Sequence, residues 1–433
     1  MIRLEIRPHR QNLKAETPEA QKLYVMLKLL PTPDLAACQP SVGYALVIDT
    51  SGSMQGEKLD LAIRASHALV DDDRLTAFAN VAVIKFDDDA ECLQRLVPVS
   101  QKDELHRAIN RLRDYSGGTM MARGMRCALG ELQQLSPHMP KRVFLLTDGE
   151  TSDETDCRAL IPEFRTLNVP VITMGIGDEY NETLLAEIAE GSCGRPYALA
   201  DIKGLGGVLD AEIRSSVKEV ATDLRLNIGA VKSVKLDGIS RVYPSLAQVS
   251  AAQAPYRLGN AAAGDFTVFI VDLTVSGLAR PVGRARLIQL GLTAEAPGAG
   301  RRIEFPIQDV WVSFTKNEAD LAAVDSEVLN YVQQRNLDGM MSEAMRLASV
   351  DPKRAGQTLL MARHLTQRLG NAAITKMLDN ALDELNNTGA IKSQTRKTVV
   401  LGGKTKTMKA AEALGFKGLT PEEMARSKEL PKT

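Results

Sequence analysis

Apolar residues fall along this chain in three successive regimes. Between about residues 42 and 217, short apolar runs alternate with stretches whose apolar residues recur three and four positions apart. The runs Tyr44–Ile48, Val81–Phe86, Val143–Thr147 and Val169–Met174, with a weaker one at Arg195–Leu199, are nearly continuous. That is the pattern of strands buried on both faces. Between them, Leu59, Ala62, Ile63, Ser66, Leu69 and Val70 share one helical face. Leu105, Ile109 and Leu112 mark a second helix, and Met121, Met125, Ala128, Leu129 and Leu132 a third. Leu205, Val208, Leu209, Ile213 and Val217 close the region. Such alternation predicts a doubly wound α/β domain over residues 41–219.

From Ala221 to Thr315 the helical period disappears. Leu224–Ile228, Phe266–Val271, Ala285–Leu292 and Ile303–Phe314 read as strands separated by Pro and Gly, which predicts an antiparallel β-sandwich over 220–316. Ile2–Arg7 and Leu23–Leu30, within residues 1–40, have no place in the α/β sheet and are expected to complete the sandwich. The α/β domain is then an insertion between its pieces. Helical periodicity returns over 317–389. Leu321, Val324, Val328 and Val332 mark one helix, Met340, Met345, Leu347 and Ala348 the next, and Leu359 to Leu369 a third, so a small antiparallel bundle is expected. Residues 390–433 are basic and threonine-rich, with ten Lys/Arg against four Glu from Ile391 onward. This segment reads as a flexible tail, with Thr398, Thr405 and Thr407 as candidate phosphoacceptors.

Composition narrows the function classes. Lys and Arg number 53 against 54 Asp and Glu, so no global field favours nucleic acid or anionic lipid. Five cysteines, at 38, 92, 127, 157 and 193, never stand in a CxxC spacing and fit idle thiols of a reducing compartment. No stretch approaches a membrane span, and the alternating start Met1–Arg7 is unlike a signal peptide. A cytoplasmic protein is expected.

One stretch carries chemistry. The strand Tyr44–Ile48 runs straight into Asp49-Thr50-Ser51-Gly52-Ser53, placing one carboxylate and two hydroxyls at i, i+2 and i+4. Ser116-Gly117-Gly118-Thr119 supplies another hydroxyl after a glycine turn, and Val143–Thr147 ends in Asp148-Gly149. Oxygen-only ligands suit Mg²⁺, with Mn²⁺ or Ca²⁺ as alternatives, and not zinc or copper. Taken alone, Asp-x-Ser-x-Ser is also explained by helix N-capping without any metal.

Together the three segments resemble the von Willebrand factor A family and its metal-ion-dependent adhesion site, in which Asp49, Ser51, Ser53, Thr119 and Asp148 match the motif in order. The resemblance implies a Rossmann-like α/β fold, a divalent cation and a partner protein whose Asp or Glu completes the coordination. It also implies that Thr119 is the ligand whose coordination changes when such domains switch affinity. Bacterial members of the family often carry the domain inside a sandwich. The resemblance leaves two settings open: a scaffold in kinase- and phosphatase-linked signalling or stress response, and an adaptor of a MoxR-type AAA+ ATPase. A metal hydrolase is the least favoured reading, because His9, His67, His106, His138 and His364 are dispersed and none accompanies a ligand segment. Asp71–Asp73 and Asp87–Asp89 read as solvated loop faces, with Glu150, Asp153, Glu154 and Asp156 as rim residues.

Overall fold

A computed structural model describes residues 2–31, 41–75, 79–199, 204–250, 253–276, 280–297, 300–405 and 407–410. Three strands open the chain: β1 (Ile2–Pro8), β2 (Asn12–Lys14) and β3 (Gln21–Pro31). The α/β region follows as β4 (Val42–Asp49), α1 (Glu57–Val70), β5 (Ala79–Phe86), β6 (Ala90–Pro98), α2 (Lys102–Arg111) and α3 (Met121–Leu132). It continues as β7 (Lys141–Thr147), α4 (Glu154–Thr166), β8 (Val171–Ile176), α5 (Glu182–Gly191), β9 (Arg195–Leu199) and α6 (Leu205–Ser216). Eight strands come next: β10 (Glu219–Ala230), β11 (Val234–Tyr243), β12 (Ala247–Val249), β13 (Tyr256–Ala262), β14 (Thr267–Val275), β15 (Gly283–Ala296), β16 (Arg301–Glu304) and β17 (Gln308–Thr315). The described chain closes with α7 (Glu318–Ala322), α8 (Ser326–Leu347), α9 (Pro352–Leu369), α10 (Ala372–Thr388) and α11 (Ser393–Thr405).

The α/β sheet has the order β6-β5-β4-β7-β8-β9, parallel throughout except for β6. Every residue of β4 is buried. Val42, Tyr44, Leu46 and Ile48 join the core under α1, α2 and α6, while Ala45 and Val47 join the core under α3, α4 and α5. A strand covered on both faces can only be apolar along its length, so the first polar residue marks where it leaves the core. Strand order reverses between β4 and β7, and side chains at the carboxyl ends of these neighbours meet in the crevice that such sheets use for ligands.

The flanking strands form two more sheets, β1-β3-β14-β11-β12 and β13-β10-β15-β17-β2, which share one apolar core. β3 alternates: Val25 and Leu27 face that core, while Met26 faces Val328, Tyr331 and Val332 of α8 on the other side. The α/β segment therefore leaves the sheets after β3 and returns at β10.

Several expectations need correction. The run 303–314 is two strands, because Pro306 cannot donate to the ladder. Residues expected in two helices, from Val328 to Leu347, form one helix of 22 residues, since Gly339 weakens the turn without breaking it. Val324 lies outside any helix. The expected flexible tail is a helix as far as Thr405, with Val399 and Leu401 fully buried. Residues 411–433, along with Cys38 and Lys406, lie outside the described residues.

Candidate functional site

β4 delivers Asp49 to the end of the sheet with no exposed surface. Its Oδ1 accepts the Ser51 amide at 2.8 Å, which folds the chain back into the short turn Gly52–Met54. Gly56, at φ 84°, then redirects the backbone into α1, a conformation unfavourable for any residue with a Cβ. Capping does not explain the two serines. Ser51 precedes the Gly52–Met54 turn yet makes no side-chain cap, and α1 has Gly56 at that position.

The serine hydroxyls instead face each other and the third loop. Ser51 Oγ lies 3.2 Å from Ser53 Oγ, and Ser53 Oγ donates to Asp148 Oδ1 at 2.7 Å. Thr147, the last residue of β7, donates its hydroxyl to Asp49 Oδ2 at 2.6 Å. The second loop is tied in by the Gly52 amide, which donates to Gly117 O at 3.0 Å. A Cβ added to Gly149 would sit 3.8 Å from Ser53 Oγ and 3.9 Å from Thr119 Oγ1. Glycine here keeps open a cradle bordered by both hydroxyls. Asp49, Ser51, Ser53, Thr119 and Asp148 are thus gathered from three loops at one end of the sheet.

The electrostatics are asymmetric. Asp49 accepts only neutral donors, and burial first, then the nearby Asp148 charge, push its pKa up to about 6. Asp148, equally buried, forms an ion pair through Oδ2 with the ammonium of Lys58, which is half exposed in the first turn of α1. Sequence reading missed both Thr147 and Lys58. Lys58 did leave a signal, since a cation in a helix's first turn opposes the helix dipole and calls for a compensating anion.

The remaining candidates separate. Asp153 caps α3, its Oδ2 accepting the Ala122 amide at 3.0 Å and its Oδ1 the Thr151 hydroxyl at 2.6 Å. Glu154 is held by Asn181 and Arg158, Asp72 by Arg74, and Asp87 by Lys85 and Thr50. Glu150 is exposed beside Gly149. His67 and His106 contact one another, His106 also reaching Asp71, and His138 pairs with Glu295. Thr398 is half-buried in α11, Thr405 Oγ1 donates back to Leu401 O at 3.4 Å, and Thr407 Oγ1 donates to Pro244 O at 2.7 Å. Among the described residues, no three His, Cys, Asp or Glu side chains gather as a metal-binding group. The cluster at Asp49 contributes two carboxylates and otherwise hydroxyls. No described helix is long and apolar enough to cross a membrane.

Residues 45–211 match the family model of the von Willebrand factor type A domain. The chain carries a von Willebrand factor A domain. Among curated relatives, the uncharacterized protein sll0103 of Synechocystis is 31% identical over 186 residues, 42% of this chain and 43% of that protein. The uncharacterized protein YfbK of Escherichia coli is 28% identical over 199 residues, 44% of this chain and 34% of its own length. The chain thus spans less than half the length of these relatives. In fold, it is similar to a von Willebrand factor type A protein from Catenulispora acidiphila, with a TM-score of 0.81, 20% identity, and coverage of 94% of this chain and 97% of that one. The ArnB paralog VWA2 from Sulfolobus acidocaldarius gives a TM-score of 0.61 at 15% identity, over 94% and 99%. Both likenesses extend past the von Willebrand factor A domain into the sheets and helices that flank it.

Proposed function

We propose that the von Willebrand factor A domain holds one divalent cation, Mg²⁺ with Mn²⁺ or Ca²⁺ as alternatives, and through it captures an Asp or Glu of a partner protein. Domains of this family generally mediate protein–protein interactions. The observation that carries the reading is the contact chain from Ser51 Oγ through Ser53 Oγ to Asp148 Oδ1, beside the Gly149 cradle that Thr119 borders. Asp49, Ser51, Ser53, Thr119 and Asp148 would hold the ion, and the donor set fits it. Two carboxylates offset a divalent charge, and neutral hydroxyls leave it electrophilic enough to accept a further oxygen.

Each residue has its part. Asp49 brings a buried carboxylate that no cationic side chain neutralises, and Thr147 fixes its rotation. Ser53 fixes Asp148. Lys58 supplies Asp148 with a positive charge in place of a metal, and would have to release or share Oδ2 when the ion enters. The proposed role is binding rather than catalysis, and the contacts of His67 and His106 with one another, of His106 with Asp71, and of His138 with Glu295 are in keeping with it. A phospho-signalling role through Thr398, Thr405 or Thr407 would require α11 and the Thr407 contact to unpack first.

A pull-down from the native lysate in Mg²⁺ or in excess EDTA tests the proposal. Capture is expected in Mg²⁺ alone and is expected to be lost in Asp49→Ala and Asp148→Ala chains that retain the wild-type circular dichroism. Capture that survives EDTA overturns it.

A further inference from the structure

A cleft lies at the opposite end of the α/β sheet from the Asp49 cluster. Arg142, Ile172 and Arg195 stand at the amino ends of β7, β8 and β9, a strand's length of roughly 20 Å from the Asp49 cluster. Where these ends meet β11, β13 and the turn before β14, they leave a cleft of about 380 Å³.

Its charges do not cancel. The lining carries five cations, Arg142, Arg195, Arg214, Lys218 and Arg241, against Glu212, Glu219 and Asp265. The carboxylates are already committed. Arg142 pairs with Glu212 and Glu219, and Arg195 pairs with Glu212 at 3.1 Å. Asp265 takes Lys409 at 3.0 Å, and Arg214 turns to Asp210 at 2.9 Å. Two positive charges are left over, those of exposed Lys218 and buried Arg241.

Arg241 is the unusual member. It is only 7% exposed, yet its guanidinium donates solely to neutral acceptors: Ser245 O at 3.2 Å, Cys193 O at 3.3 Å, Gly194 O at 3.1 Å and Ser245 Oγ at 2.9 Å. Glu190 and Glu212 attract it from a distance, but none of the described carboxylates pairs with it directly, as a buried charge ordinarily requires. Burial and the neighbouring Arg195 draw its pKa down to about 10, so the guanidinium keeps its charge at neutral pH.

We propose that this cleft binds a phosphate group, free or carried on a small ester, with Arg241 and Lys218 supplying its counter-charge. Two surplus cations match the charge of a phosphate monoester at neutral pH, roughly −1.5 to −2. The exposed Lys218 ammonium is free to contact such an anion directly, while Arg241, with four of its five N–H groups already donated within the protein, contributes its charge and one remaining N–H. The volume exceeds that of the anion alone and leaves room for a small organic group.

The test is isothermal titration calorimetry of the full chain at constant ionic strength, with EDTA present throughout, using inorganic phosphate and glycerol 3-phosphate. Saturable binding is expected for at least one probe. Lys218→Glu, at an exposed position that does not threaten folding, should weaken it roughly tenfold or more, and Arg241→Gln should weaken it further. Tighter binding of glycerol 3-phosphate assigns the cleft to an ester, and equal binding to the free ion. The proposal is overturned if neither probe saturates, or if Lys218→Glu binds as the wild type does. Should Arg241→Gln fail to fold, the Lys218→Glu comparison decides alone.

Discussion

Asp49 ends β4 and Asp148 directly follows the neighbouring β7; both are fully buried, and they are neutralised by different means. Asp148 has the Lys58 ammonium, whereas Asp49 has only hydrogen bonds and a raised pKa. If Lys58 stands where part of a metal's charge would act, its removal strips a competitor from the site. Lys58→Met is therefore expected to tighten Mn²⁺ binding by up to about fivefold, the scale of one partly exposed charge interaction, as read by calorimetry or by loss of the free Mn²⁺ paramagnetic signal. Weaker binding in Lys58→Met would mean that the ammonium supports the site instead. Asp49 gives a second prediction, for the metal-free chain. Its folded pKa of about 6 lies above the ordinary carboxylate value of 3.8. Between about pH 4 and 6 the folded chain thus keeps a proton that the unfolded chain has released, and this group's contribution to stability falls as pH rises through that window. The urea midpoint in EDTA, compared between wild type and Asp49→Asn, isolates the effect. The wild type should lose ground to the variant from pH 4 to 6, and Mg²⁺, which favours the ionised carboxylate, should reverse that loss. Parallel curves for the two chains would refute it.

At the scale of elements, α11 is the informative case. Its side chains join two cores: Leu401 enters the one beneath α3, α4 and α5, Val399 that of α8 to α10, and Lys404 bridges Glu190 of α5 at one end and Asp338 of α8 at 3.5 Å. Lys397 is buried over the Tyr180 ring, 4.1 Å from its centroid, and donates to Asp178 O at 2.6 Å. Leu401→Ala should cost about 2–4 kcal/mol in chemical denaturation, a core-sized loss that a flexible tail could not show. This element was illegible in the sequence for a definite reason. Only two of its apolar residues are fully buried, and much of its docking runs through lysines, which a hydrophobic-period reading assigns to solvent. β6 escaped similarly, being an edge strand only half covered, and α4 was masked by Pro162 and its charged faces. β4 and β7 were legible because burial on both faces demands unbroken apolar runs, so the polar residue ending each run stood out. The same logic marked Asp49 and Asp148. It could not mark Thr147, whose value lies in a hydrogen bond across to the neighbouring strand.

For the whole molecule, the question is whether the von Willebrand factor A domain and the sheets that flank it behave as one body. Arg142, on β7, is buried between Glu212 of α6 and Glu219 of β10, so a single guanidinium joins the α/β sheet, its last helix and the first strand beyond it. The attraction of its two glutamates holds its pKa above the ordinary arginine value despite full burial. Around it, Asn260 of β13 donates to Glu219 at 2.9 Å and accepts from Asn168 at 2.9 Å, and Arg241 reaches across to Gly194. Removing the cation leaves buried Glu219 without a counter-charge, while Glu212 keeps Arg195, so Arg142→Ala should destabilise the chain by roughly 3–5 kcal/mol. The loss should also be visible in how the chain comes apart. The chain has one tryptophan, Trp311 on β17, so its fluorescence follows the sheets, while far-ultraviolet circular dichroism is weighted towards the helices. In the wild type, both signals should change at one urea concentration. In Arg142→Ala they should separate, because the α/β domain loses the buried charge that binds it to β10 while α11 still holds it to the helices. Coincident, unshifted transitions in the variant would show that the interface stands without this ion pair, and that the joining is done by apolar contact alone.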